Sequence, residues 1–128
     1  MRYLLDTHAF LWWIGGDPRL SQRAAEVIRD PENEILVSAA STWEMAIKSQ
    51  LGRIAFTADP VDLVPRQKAE NRFPELPISV RHALQTSRLP LLHRDPFDRA
   101  PIAQAQVENI PLLSADETAA QYGVAVIW

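Results

Sequence analysis

Short apolar runs alternate along this chain with longer stretches in which apolar residues recur every three or four positions. Tyr3-Leu4-Leu5, Ile35-Leu36-Val37, Pro111-Leu112-Leu113-Ser114 and Val124 to Ile127 are runs of the first kind. Such brief, uniformly apolar segments read as strands buried on both faces. Leu76-Pro77-Ile78 reads as a short edge strand. Between them the pattern predicts helices from Thr7 to Ile14, from a Ser21 cap to about Asp30, and from about Ala40 to Leu51. Further helices are predicted from Asp59-Pro60 toward Arg72, Ser79 to about Arg88, Asp95-Pro96 to about Asn109, and Asp116 to Gln121. Pro65 is expected to limit or kink its helix. Gly15-Gly16-Asp17-Pro18 is turn chemistry. Strands alternating with helices imply a parallel sheet with right-handed crossovers, covered on both sides. The predicted fold class is α/β, a three-layer α/β/α sandwich, in a single domain over residues 1–128.

In such sheets ligands bind beyond the carboxyl ends of the strands. Asp6 ends the first strand and Asp116 stands two residues past the fourth. Each has an ordinary reading as a helix N-cap. Glu44 falls inside the helical stripe formed by Ala40, Trp43, Ile47 and Leu51, so it is expected to face the core. A carboxylate there needs a cation or an ion pair, and Lys48 lies one turn away for the latter. Asp95 and Asp98 open one helix, with Pro96 at its first position. Asp95 suits the cap and Asp98 shares a face with Ile102 and Ala105, although Pro101 threatens the first turn and leaves Asp95 as the alternative.

Composition narrows the chemistry. There is no cysteine among the 128 residues, which excludes disulfides, thiolate metal sites and a cysteine nucleophile. The three histidines, His8, His82 and His93, lie far apart in sequence and argue against an imidazole cage. Four acids from four segments of one sheet edge, Asp6, Glu44, Asp98 and Asp116, repel one another and at neutral pH call for a cation or shared protons. All-oxygen ligation favours Mg²⁺ or Mn²⁺, which lowers the pKa of bound water and neutralises phosphoryl charge.

The motifs Leu4-Leu5-Asp6-Thr7-His8, Trp43-Glu44-Met45-Ala46-Ile47-Lys48 with Gly52-Arg53-Ile54, His93 to Arg99 with Ile102-Ala103-Gln104-Ala105, and Leu113-Ser114-Ala115-Asp116 resemble those of PIN-domain ribonucleases. More narrowly they resemble VapC toxins of type II toxin–antitoxin systems. The resemblance implies a central parallel sheet of about five strands and Mg²⁺- or Mn²⁺-dependent hydrolysis of RNA, often tRNA or rRNA. It implies that Asp6, Glu44, Asp98 and Asp116 form the catalytic and metal-binding quartet, with Asp6 and Asp98 the most direct ligands. Thr7 and Ser114 match supporting hydroxyl positions. A homodimer and a VapB-type antitoxin are the implied partners. Pro101 departs from the large apolar residue usual at its position.

Other residues have two readings each. Thr7 can simply start a helix, and Ser114 can simply end a strand. Lys48 balances Glu44 or touches phosphate; Arg94 and Arg99 bind RNA phosphates or stay solvated. His93 does the same or sits idle. Trp12 and Trp13, adjacent on one helix, cannot both point centrally into one core face. Either the helix is buried on two sides, or one tryptophan is left for an antitoxin. The competing functions are a Mg²⁺-binding receiver-like signalling domain and a catalytically silent PIN module. Against the first, Asp6 stands alone and Ile35-Leu36-Val37 ends in Ser38 rather than an acid.

The net charge of -3 at first weighs against RNA. Residues 48–99, however, carry nine Lys/Arg against six Asp/Glu, a local +3. The acidity lies mostly elsewhere. No signal or membrane-spanning segment is evident, so a cytoplasmic location is expected.

Overall fold

The computed structural model describes residues 1–128. Its elements follow in the order β1 (Arg2–Leu5), α1 (Thr7–Gly15), α2 (Gln22–Arg29), β2 (Glu34–Ser38), α3 (Ala39–Gln50), α4 (Pro60–Glu70) and β3 (Glu75–Leu76). After these come α5 (Val80–Gln85), α6 (Pro96–Glu108), β4 (Leu112–Leu113) and β5 (Val126–Ile127). Two 3-10 turns, Thr86–Arg88 and Glu117–Tyr122, replace the tail of one predicted helix and the whole of another.

The five strands are parallel in the order β3-β2-β1-β4-β5. The chain builds outward from β1 through β2 to β3, then returns to the other side of β1. A crevice therefore opens between β1 and β4, where successive crossovers diverge.

Register explains why both sheet faces are apolar. Leu4 pairs with Leu36 and Leu112, while Leu5 pairs with Val37 and Leu113. Successive side chains on a strand alternate faces, so the two rows go to opposite sides. Leu5, Val37 and Leu113 join Phe10, Met45, Leu63 and Phe73 in one core. Leu4, Leu36 and Leu112 join Ile102, Ala103 and Tyr122 in the other. The three-layer α/β architecture expected from the alternation is the one observed.

Two expectations need correction. Pro65 does not end its helix, since α4 runs on to Glu70, and Pro101 does not shift the start of α6 toward Asp98, since α6 begins at Pro96. Each proline forgoes one hydrogen bond near the helix start, and burial of Leu63 and Val64, or of Ile102 to Ala105, offsets that loss. The α3 stripe is also rotated from the expected one. Trp43 and Leu51 are 60% and 61% exposed, whereas Ala40, Ser41, Glu44 and Met45 are buried.

No helix is long and apolar enough to cross a membrane.

Candidate active site at the carboxyl edge of the sheet

Where the apolar strands end, the sheet turns polar in register. Leu5 is followed by Asp6, Val37 by Ser38 and Leu113 by Ser114, so three polar residues stand side by side beyond paired hydrophobic ones. The Asp6 N–H donates to the Leu113 carbonyl at 3.1 Å, holding the end of β1 against β4. Each of these residues then serves the segment that follows. Asp6 caps α1, accepting from the Ala9 N–H at 2.8 Å. Ser38 caps α3, and the Ser114 hydroxyl accepts from the Asp116 N–H at 3.0 Å. Asp116 in turn caps the 3-10 turn through Thr118. The capping readings of Asp6 and Asp116 are therefore correct without displacing either acid from the crevice.

Asp6, Glu44, Asp98 and Asp116 all line one cavity of about 210 Å³, together with Thr7, His8, Phe97, Pro101 and Ser114. Four separate segments thus deliver their acids to one place. Asp95 does not join them; it caps α6 by accepting from the Phe97 N–H at 2.8 Å. Pro101 lines the cavity wall, and Asp98 stays in it from the first turn of an unbroken helix.

A buried polar pair sets the position of α6. The Ser38 hydroxyl donates to Gln104 Oε1 at 2.5 Å, and the Gln104 amide donates to the Pro77 carbonyl at 3.2 Å. Gln104 is wholly buried, so these bonds tie α6, the helix that bears Asp98, to the end of β2.

The electrostatics are those of crowded carboxylates. Burial pushes the Asp6 carboxyl above its ordinary range, against the pull of the Ser114 hydroxyl, the Ala9 N–H and His8. Asp98 is raised too, first by partial desolvation and then by the charges of Asp95, Glu44 and Asp116, with His93 opposing. Glu44, 3% exposed, is held by Lys48 at 2.5 Å.

No three of the site's Asp, Glu and His side chains converge as a preformed metal cage. Glu44 is engaged by Lys48 and Asp116 by His93, which leaves Asp6 and Asp98 as the acids with strained charge and no cationic side chain bonded to them. An all-oxygen set with two carboxyls pushed toward protonation fits a hard divalent cation, which would relieve that repulsion.

Several candidate contacts resolve. Lys48 belongs to Glu44. Arg99 is not a free RNA contact: its guanidinium donates to the carbonyls of Thr86, Leu89, Pro90 and His93, pinning the loop ahead of α6. Arg94 is exposed in the loop ahead of α6 and does not line the cavity. Trp13 is committed to the fold, its indole N–H donating to Asn71 at 2.8 Å. Trp12 is half-buried against Trp128 and His8, with Arg19 over its ring. It lines a second groove of about 580 Å³ that also includes Thr7, His8, Lys48 and Arg53.

Sequence reasoning missed Ser38, Gln104 and Tyr122, and read His93 only as a phosphate contact or an idle side chain rather than as the partner of Asp116. Gln104 carried the one available signal, an amide inside the apolar Ile102-Ala103-Gln104-Ala105 run.

A model of the PIN domain family matches residues 3–125. The chain belongs to the PIN domain family. It is similar to Ribonuclease VapC16 of Mycobacterium tuberculosis, with 37% identity over 70 residues. That match covers 52% of this chain and 48% of the relative, so the chain spans about half the length of the curated relative it matches. Its fold is similar to that in VapBC2 from Rickettsia felis bound to a promoter DNA fragment, with a TM-score of 0.74 and 14% identity. That superposition covers 100% of this chain and 99% of the other. VapBC-1 from nontypeable Haemophilus influenzae gives 0.69 at 16% identity, covering 99% and 97%.

Proposed function

We propose that the chain is a metal-dependent endoribonuclease toxin of the VapC kind, a single PIN domain acting in the cytoplasm and silenced by a VapB-type antitoxin. The observation that carries this reading is the convergence of Asp6, Glu44, Asp98 and Asp116 on one cavity at the strand crossover. The ribonuclease named among its relatives and the VapBC complexes that share its fold support the same conclusion. PIN membership sets aside the receiver-like alternative.

Asp6 and Asp98 would hold Mg²⁺ or Mn²⁺, with Glu44 and Asp116 acting through water or completing a second position. When bound, the ion supplies a polarised water and neutralises charge at phosphorus. The protein's part is to fix the acids. Asp6 is locked by the α1 cap and Glu44 by burial against Lys48, while Asp98 is carried by α6, which Gln104 anchors. Thr7 and Ser114 border the cavity and place hydroxyls beside Asp6. Arg94, exposed in the loop ahead of α6, is the proposed contact for RNA phosphate.

Purified chain, freed of antitoxin, should cleave total RNA with Mn²⁺ or Mg²⁺ and stop when the ion is chelated. Intact RNA under all metal conditions would instead make this a silent PIN module.

The groove beside Trp12 is the proposed antitoxin seat, and a homodimer the proposed assembly. Trp12→Ala should weaken antitoxin affinity about tenfold or more, the usual loss for a buried aromatic anchor, with only a modest fall in the isolated melting temperature from its lost contacts to Trp128, His8 and Arg19. Trp13→Ala should lower the melting temperature more and leave antitoxin affinity the less affected. Equal antitoxin affinity for Trp12→Ala and wild type, by calorimetry, refutes that seat.

A further inference from the structure

His93 is the one histidine of the chain whose two ring nitrogens both meet partners in the candidate site region. Its Nε2 lies 2.7 Å from Asp116 Oδ2, and its Nδ1 lies 2.7 Å from the Tyr122 hydroxyl. That hydroxyl also accepts from the backbone N–H of His93 itself at 2.8 Å. The two rings stack, 5.5 Å between centroids and 15° from parallel. Tyr122 is 7% exposed and belongs to the core on the α6 side of the sheet. The imidazole is thus braced from behind by a rigid, buried phenol.

These contacts decide where the proton sits. An ionised Asp116 can only accept, so Nε2 must be the donor. The phenol then donates to Nδ1 of a neutral ring, or accepts from it when the ring is charged. Nε2–H faces Asp116 in both cases.

The connectivity adds a second consequence. Asp116 opens the 3-10 turn that ends in Tyr122, so one turn supplies both the acid and the brace. His93 sits in the loop leading into α6, whose first turn bears Asp98, and Arg99 clamps that loop through the His93 carbonyl. The imidazole therefore bridges the two segments that carry Asp98 and Asp116.

We propose that His93 is a positioning residue: with Nε2–H directed at Asp116 and the ring braced by Tyr122, it fixes the Asp116 carboxylate and sets its spacing from Asp98. The inference rests on the metal-dependent reading above and assigns a role to a side chain that need not touch substrate or ion. Outer partners that orient a metal-binding carboxylate typically change metal affinity about 10–100-fold when removed.

The test compares His93→Asn, His93→Gln and Tyr122→Phe at one pH, by Mn²⁺ titration followed by electron paramagnetic resonance. A glutamine amide nitrogen reaches roughly the place of Nε2, whereas an asparagine amide stops near Nδ1. His93→Asn should bind Mn²⁺ about 10–100-fold more weakly. His93→Gln should stay within a few-fold of wild type. In the metal-free wild type, ring nitrogen chemical shifts should show Nε2 protonated, and Tyr122→Phe should keep that tautomer, which Asp116 sets, while loss of the brace weakens Mn²⁺ binding several-fold.

Unchanged Mn²⁺ affinity in His93→Asn overturns the proposal, as does a loss in His93→Gln as large as in His93→Asn. A bare Nε2 in the metal-free wild type also overturns it. Should His93→Asn fail to fold, His93→Gln and Tyr122→Phe decide by the same two readouts. A wild type that binds no Mn²⁺ defeats the metal-dependent reading instead, and the ring nitrogen shifts still judge His93.

Discussion

Asp6→Asn will abolish RNA cleavage, by on the order of a hundredfold or more, while raising the melting temperature of the metal-free protein. The two effects have one cause. Burial holds the Asp6 carboxyl above its ordinary range, so the folded chain binds a proton there more tightly than the unfolded chain does. Over the interval from the ordinary aspartate range up to the raised value, the native state carries more protons. Stability therefore falls as pH rises through that interval and stays lowered above it. Asn removes this dependence, and it keeps the α1 cap because its side-chain oxygen accepts the Ala9 N–H as Asp does. Thermal melts across the acid range, without metal, should show wild type losing ground to the variant as pH increases. Added Mn²⁺ should stabilise wild type and leave the variant nearly unmoved. Cleavage by Asp6→Asn at the wild-type rate, with contaminating nuclease excluded, would remove Asp6 from the site.

That a candidate site acid can be read from sequence at all follows from its position. Asp6 and Asp116 sit where an apolar strand stops, a place defined by local pattern alone. The fold was legible for the same reason: Leu4 and Leu5 must go to opposite faces, and neighbouring strands of the same character demand helices on both. Glu44 was placed inward by a stripe that proved rotated. It is buried because Ala40, Ser41 and Met45, rather than Trp43 and Leu51, face the sheet. Small residues at positions 40 and 41 let α3 approach closely, and hydropathy alone does not weigh such an approach. Arg99 and His93 were illegible as structural devices because their partners are distant carbonyls and a tyrosine 29 residues away. Local spacing reveals caps and strand ends. Tertiary hydrogen bonds such as His93 to Tyr122 leave no period in the chain.

Lys48→Met will show that one site cation is already supplied by the protein. Lys48 meets Glu44 at 2.5 Å, with the Glu side chain 4% exposed and the Lys side chain 27% exposed. Removing the ammonium strands a buried carboxylate in a cavity lined by three other acids. Breaking such a pair costs about 3–5 kcal/mol, and the exposure of Lys48 puts the loss toward the lower end. In a chain this size that lowers the melting temperature by roughly 10 °C. Mn²⁺ should recover part of the loss in Lys48→Met, because a divalent ion can neutralise the same carboxylate. Glu44→Gln combined with Lys48→Met should recover most of it without metal, since neither charge remains to be satisfied. Thermal melts of the wild type, both single variants and the double variant give the coupling directly. A metal-free Lys48→Met that melts with wild type would show the pair to be dispensable. Lys48 would then be released for the phosphate contact that its sequence position also allows, and a shallower salt dependence of RNA binding in the variant would confirm that role.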